Sequence, residues 1–223
     1  MTSTHANGTV SRPSVVTPGQ ALEELARLCS DRERWTAPGR AHGVVIAIDG
    51  PPGAGKSTLA DRLAGVLGQR CAGVLAIDDL APGWQGLSAG VDRCAQVVAA
   101  LDRGLPARAP RWDWRRMAPG TDLVIGPLDG AVLLIEGCGA LAAVAQDLEA
   151  LAVLRVLLEA PEELRHHRIR RRDPYTWDIE AWESQASIVA HRWRGTSWEP
   201  RLIVVTDQCT VGARPQGAAD GVT

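Results

Sequence analysis

The chain has 223 residues, a formal net charge of −2 and a hydrophobic share of 45%. Those values suit one α/β domain with a tail at each end, and they argue against a surface that coats nucleic acid or a membrane. Five scattered cysteines without a C-x-x-C pair argue against a zinc site or a disulfide frame and for reduced thiols in a cytoplasm. The N-terminus lacks the apolar core of a signal peptide, and no apolar run is long enough to span a bilayer, so a soluble, cytoplasmic protein is expected.

Residues 1–16 are small and polar without a period and are expected to be a disordered tail. Thr17-Pro18-Gly19-Gln20 reads as a capping box with proline at the first helical position, opening an N-terminal helix placed within 17–35. A core over 43–206 follows, and residues 17–208 form a single domain, with 209–223 as a second disordered tail. Val44 to Ile48 is a continuous apolar run, as a buried parallel strand requires. It runs into Gly50-Pro51-Pro52-Gly53-Ala54-Gly55-Lys56-Ser57, which fits G-x-x-x-x-G-K-[ST], and then Thr58 and an apolar helical stripe ended by Gly68. Glycines let a backbone wrap an anion, and N–H groups at a helix start bind phosphate oxygens. Gly50, Pro51, Gly53, Ala54, Gly55, Lys56, Ser57 and Thr58 are therefore the nucleotide-binding candidates, with Lys56 on the β- and γ-phosphates and Ser57 on Mg²⁺. Lys56 is the only lysine among 24 basic residues, so lysine stands where a compact ammonium suits a phosphate.

A second strand over Val74 to Ile77 ends at Asp78-Asp79, and Pro82-Gly83-Trp84 makes a loop. A helix follows with Val91, Ala95, Val98 and Leu101 as its stripe. Pro110 to Arg116 is dense in charge and tryptophan. If it is extended, Arg111, Asp113 and Arg115 share one side and the tryptophans the other. The third buried strand, Ala131 to Ile135, ends at Glu136, and a helix is expected over about 140–149. Ala152 to Leu158 is a fourth strand, and Pro161 opens an arginine-rich helix. Asp178 caps a further helix bearing Trp182 and Trp193 as core residues, and Leu202 to Val205 is the last strand. Alternating strands and helices predict a parallel sheet with helices on both faces.

Ligands bind beyond the carboxyl ends of such strands. Phosphoryl transfer needs Mg²⁺ and a group that orients the nucleophile. Asp78 is the candidate base for a substrate hydroxyl, and Ser57 and Glu136 are the candidate Mg²⁺ ligands. Arg168 and Arg172, on one helical face with Arg165, are candidates for the charge on the moving phosphoryl group. Trp84, Arg111, Trp112 and Asp113, with Asp78, are the candidate acceptor residues.

Taken together these motifs resemble the uridine kinase branch of the P-loop nucleoside and nucleotide kinases. Its acidic motif after the second strand is matched by Asp78-Asp79-Leu80, its Pro-x-Tyr-Asp by Pro110-Arg111-Trp112-Asp113, its Glu-Gly by Glu136-Gly137 and its Arg-Asp lid end by Arg171-Arg172-Asp173. The resemblance implies a three-layer α/β P-loop NTPase fold with an arginine-rich lid. It also implies ATP and Mg²⁺, with Ser57, Asp78 and Glu136 around the metal, Asp78 as base and a nucleoside-like small molecule as acceptor. Ala81 stands where the family has an aromatic, and Arg115, Arg116 and Met117 fill the region of its histidine. Those arginines leave open a phosphorylated or otherwise anionic acceptor, as in nucleotide kinases, and a kinase of another small alcohol, such as a sugar, cofactor precursor or antibiotic, is a second reading. An ATP-binding switch or assembly factor is the reading from another class. A guanine-specific Asn-Lys-x-Asp is ruled out, because the only lysine is already in the loop. No nucleic-acid or membrane partner is expected, and oligomeric state is left open.

Overall fold

A computed structural model describes residues 13–30, 43–173 and 175–206. In chain order these form β1 (Ser14–Val16), α1 (Pro18–Ser30), β2 (Gly43–Asp49), α2 (Lys56–Leu67), β3 (Cys71–Ala76), α3 (Leu87–Asp102), β4 (Ala107–Ala109), β5 (Trp112–Asp113), β6 (Ala118–Pro119) and β7 (Leu123–Ile125). They continue as β8 (Val132–Glu136), α4 (Ala140–Ala143), β9 (Leu151–Glu159), α5 (Glu162–Arg172), α6 (Ile179–Ala190) and β10 (Leu202–Val205). Six strands pair in parallel in the order β1-β10-β9-β2-β8-β3, while β4 with β7 and β5 with β6 are small antiparallel pairs.

The apolar run that became β2 is buried along its whole length, because helices cover both faces of the sheet. Val44, Ile46 and Ile48 pack with Leu25 of α1 and Leu63 of α2, and Val45 and Ala47 pack on the other face with Val91 of α3, Leu141 of α4 and Trp182 of α6. This is the expected three-layer α/β arrangement. Local signals set several boundaries. Thr17 N donates to Gln20 Oε1 at 2.9 Å and Gln20 N donates to Thr17 Oγ1 at 3.4 Å, the reciprocal pair that starts α1. Gly68, at φ 53°, ends α2 with its N–H on Ala64 O. Asp178 accepts from Ala181 N at 2.9 Å and starts α6.

Two expectations need correction. Unpatterned chain was expected as far as residue 16, but Ser14–Val16 add an edge strand to β10, joined by Ser14 N donating to Arg201 O at 3.1 Å. The helix expected over 140–149 stops at Ala143. Gln146 Nε2 folds back onto Ala143 O at 2.9 Å, and Asp102 accepts from the N–H groups of Glu149, Ala150 and Leu151, which turns the chain into β9. The tail expected over 209–223, most of the first tail and the end of the helix expected to reach residue 35 lie outside the described residues. Among the described residues no helix is long and apolar enough to cross a membrane, and Cys29, Cys71, Cys94 and Cys138 are free thiols.

Candidate active site

The C-terminal ends of β2, β3 and β8 lie side by side in the sheet, and the three chain segments leaving them converge on one cleft of about 190 Å³. From β2 comes the glycine loop. Gly53 and Gly55 take φ of 76° and 105°, left-handed backbone that a Cβ resists. Gly55 begins α2 without any side-chain cap, which leaves first-turn N–H groups free for an anion. Lys56 is 8% exposed, and its Nζ donates to Gly50 O at 2.8 Å and Pro51 O at 2.9 Å, so it bridges the loop while lining the cleft.

Asp49, just before the loop, is buried and accepts from Gly50 N at 2.7 Å, Gly139 N at 3.0 Å and Leu141 N at 2.9 Å. It pins the start of α4 to the tip of β2, a structural part that the motif pattern does not reveal. The tip of β8 supplies Glu136, whose Oε1 accepts from Ser57 Oγ at 3.1 Å. The turn after β3 supplies Asp78, which opens into the cleft. Burial raises the Glu136 carboxyl above its ordinary value; Lys56 opposes this and Asp78 adds to it. Asp78 is itself exposed to the cleft, yet the surrounding protein partly desolvates its carboxylate. That desolvation raises its pKa, against the lowering pull of Lys56 and Arg172.

The expected Mg²⁺ ligands therefore share one space. A serine hydroxyl and carboxylates are hard oxygen donors, and Mg²⁺ is ordinarily held by one or two carboxylates together with substrate phosphates. The residues present fit such an ion and the polyphosphate beside it.

The three lid arginines part company. Arg172 lines the cleft and is held by Asp173, with Nε on Oδ1 at 2.6 Å and Nη2 on Oδ2 at 2.9 Å. Arg168 Nη1 instead donates to Gly53 O at 3.2 Å, from outside the loop. Arg165 is buried and ties Pro52 O, Ala160 O and the Glu183 carboxylate of α6 together. These two brace the glycine loop.

The expected acceptor residues also divide. Trp84 is in the cleft, at the centre of an aromatic cluster: its ring centroid lies 4.7 Å from Trp114, 5.5 Å from Trp177, 6.1 Å from Trp182 and 6.3 Å from Tyr175. Arg111 does not line the cleft; its Nη2 donates to Oδ2 of Asp79, which does, at 2.5 Å. Trp112 and Asp113 are not brought into the cleft. Asp113 Oδ1 accepts from Arg115 N and Arg116 N at 3.0 Å and closes the hairpin between β5 and β6. That turn ends the extended segment at Asp113, so the alternation predicted for Arg111 to Arg115 breaks and Trp114 faces the cleft separately from Trp112.

Sequence reasoning missed Trp114, Tyr175, Trp177 and Cys138 as cleft residues, and it placed Trp182 in the core, where it is buried but also forms the cleft floor. The one available signal was the density of aromatics just after the arginine run, Tyr175-Thr176-Trp177. A larger cavity of about 410 Å³ lies between α1 and the β9–β10 side of the sheet, away from the strand tips and the acids that meet there.

Known proteins can be set beside this geometry. A family model described as an AAA domain matches residues 45–190. A candidate fructose transport system kinase from Silicibacter sp. TM1040 shares the fold, with a TM-score of 0.54 and 21% identity over 80% of this chain and 98% of that one. A possible uridine kinase from Bacillus stearothermophilus is more distant, with a TM-score of 0.41 and 17% identity over 71% of this chain and 100% of that one. No curated protein matches the chain.

Proposed function

Because the chain belongs to the AAA domain family, we propose that its cleft makes it an ATP-dependent phosphotransferase acting on the hydroxyl of a small alcohol. One observation carries this reading. The glycine loop with Lys56, the Ser57–Glu136 pair and Asp78 all open into a single cleft whose far wall is aromatic. A nucleotide switch needs the first half of that arrangement and has no use for the second.

In this reading the loop N–H groups and Lys56 hold the β- and γ-phosphates of ATP. Mg²⁺, held by Ser57 and Glu136 beside Asp78, supplies charge neutralisation of the phosphate oxygens when bound. Asp78 accepts the proton of the acceptor hydroxyl as its oxygen bonds to the γ-phosphorus. The bond from that phosphorus to the bridging oxygen breaks, and ADP leaves with the electron pair. Arg172 is the lid arginine placed to meet the charge that spreads over the moving group, while Arg165 and Arg168 keep the loop in shape. The reaction belongs where ATP is abundant, in the cytoplasm.

The acceptor is nucleoside-like, as the resemblance to uridine kinases implies, and ring faces suit such a molecule. The phosphorylated acceptor of a nucleotide kinase fits less well, because Arg111 is already matched to Asp79 and Arg172 is taken by the moving phosphoryl group. The test is ATP turnover and transfer, read by mass shift, over nucleosides, nucleotides, sugars and amino alcohols. Asp78→Asn should still bind ATP and lose transfer by about 100-fold or more. Transfer at the original rate in that variant removes Asp78 from the chemistry, and slow hydrolysis alone, with no acceptor modified, overturns the kinase reading.

A further inference from the structure

The ligand-free cleft is small for the two substrates of a phosphoryl transfer. Small-molecule sites ordinarily enclose about 300–1,000 Å³, whereas this one holds about 190 Å³ for the end of a triphosphate and an acceptor together. The acceptor side is filled by the protein's own aromatic stack: the Trp84 and Trp177 rings lie 19° from parallel with centroids 5.5 Å apart. A ring face covered in this way receives a ligand only after its cover leaves.

The hydrogen bonds show which ring can leave. Trp84, Trp114 and Trp182 are tied to the body of the domain: Gln185 Nε2 of α6 donates to Trp84 O at 2.8 Å, the Trp114 indole N–H donates to Asp78 O at 2.9 Å, and Trp182 stands in α6 itself. The Trp177 indole N–H instead donates to Asp173 Oδ2 at 2.8 Å, within its own segment between α5 and α6. There is room behind that segment. Cavities of about 370 Å³ and about 210 Å³ are each lined by Tyr175, Thr176 and Trp177. The larger one also meets Trp84, so displacing Trp177 joins it to the cleft.

Asp173 is the clasp. Its carboxylate accepts from Trp177 and, on both oxygens, from Arg172 at 2.6 Å and 2.9 Å. The Asp173 side chain is 11% exposed, while that of Arg172 is 64% exposed and lines the cleft. The arginine can therefore turn to an anion in the cleft, but the carboxylate it leaves is nearly buried and uncompensated. A charge so stranded is relieved by turning to water. The Trp177 N–H then loses its acceptor.

We propose that the γ-phosphate of the donor unlocks the acceptor site: it draws Arg172 from Asp173, the freed carboxylate turns out to water, and Trp177 comes off the face of Trp84. The ring of the acceptor takes the face that Trp177 leaves, so the donor binds first. The inference rests on the phosphotransferase reading for the anion that acts as trigger.

The test labels the intact protein with fluorotryptophan and assigns the Trp84 and Trp177 resonances in the fluorine NMR spectrum with Trp84→Phe and Trp177→Phe. The solvent isotope shift of each resonance, water against heavy water, reads its exposure. A non-hydrolysable ATP analogue with Mg²⁺ should move both resonances and raise both isotope shifts. Mg²⁺ with ADP, which lacks the γ-phosphate, should leave them at their ligand-free positions. Two substitutions separate a clasp from mere packing. Asp173→Ala removes the acceptor of the indole, so both rings should read as exposed before any nucleotide is added. Asp173→Asn keeps an acceptor without a charge to strand, so both rings should stay covered when the analogue binds. Calorimetry on the same samples reports binding of the analogue itself. Binding without change at Trp84 and Trp177 overturns the proposal and leaves the phosphotransferase reading standing. An equal response to ADP, or a full response in Asp173→Asn, does the same. No binding of the analogue overturns the phosphotransferase reading, and the trigger falls with it.

Discussion

Asp78 and Glu136 show what the strand tips cost the resting protein. Both carboxyls are held above their ordinary values of 3.8 and 4.5, with desolvation outweighing the attraction of Lys56. For an acid whose folded pKa is raised, the folded state holds the proton more tightly than the unfolded chain does. Stability is therefore greater below that window and declines as pH rises through it. Removing the charge at the buried Glu136 should accordingly stabilise the ligand-free protein: Glu136→Gln is expected to melt higher than the parent at pH 7 in thermal denaturation while losing transfer, the trade often seen at active sites. A lower melting temperature would show that the Ser57 contact matters more than the buried charge. The same shift sets the acid limb of activity. In the proposed reaction Asp78 must be ionised to accept a proton, so kcat/KM should fall on acidification through a midpoint above the usual aspartate value of 3.8. An acid limb at or below that value would argue that some other group accepts the proton. The lid pair runs the other way. Arg172 holds the Asp173 carboxyl below its ordinary value, helped by Trp177, so this clasp persists until the pH falls below the range in which Asp78 takes up its proton.

At the scale of elements, α5 and α6 act on the glycine loop through contacts that the motif does not contain. A Cβ at Gly53 would lie 2.5 Å from Arg165 O, backbone of α5, and the φ of 76° adds strain. Gly53→Ala should push the lid helix off the loop and weaken ATP binding by roughly tenfold or more, measured by titration with the nucleotide; unchanged affinity would mean that the loop and α5 move apart freely. Glu183 of α6 holds Arg165, the neighbouring Trp182 forms the cleft floor, and Gln185 Nε2 donates to Trp84 O at 2.8 Å. One helix thus braces the donor loop and the aromatic wall. Truncating one partner of a buried ion pair leaves the other uncompensated and costs about 3–5 kcal/mol when burial is complete. Glu183 is one-quarter exposed, so Glu183→Ala should cost less, and KM should rise for ATP and acceptor alike. A rise for ATP alone would limit the brace to the loop.

These contacts also show where sequence reading ends. The glycine loop, the acids at the strand tips and the parallel sheet were legible, because each follows from a local pattern: an apolar run, a spacing, a polar residue where the run stops. The fates of Arg165 and Arg168 were not, since a helical wheel groups them with Arg172 and only the position of the loop beneath α5 separates them. Trp114 was misassigned for a similar reason. Alternation holds only while a strand continues, and Asp113 ends it by capping the β5–β6 turn. Nor could a pattern unite Trp84, Trp114 and Trp177, which come from separate segments that the sheet brings together.

At the scale of the molecule, the cleft joins layers that otherwise share only the sheet. α2, on one face, carries Lys56 and Ser57 at its start, and α3 and α6, on the other, support the aromatic wall. A ligand that reaches both should therefore stabilise the whole fold rather than one loop. By linkage, Mg²⁺·ATP at a hundredfold excess over its Kd adds about 2.7 kcal/mol. For a domain of this size that corresponds to a rise in Tm of roughly 5–10 °C. Lys56→Ala should abolish the rise, while Asp78→Asn, which leaves the loop and its ammonium in place, should keep most of it. Adding an acceptor in the presence of a non-hydrolysable ATP analogue should raise Tm further than the sum of the separate effects, because the first ligand orders the α5–α6 brace on which the second depends. Strictly additive shifts in that melting experiment would mean that the two halves of the cleft bind independently and that α6 does not couple them.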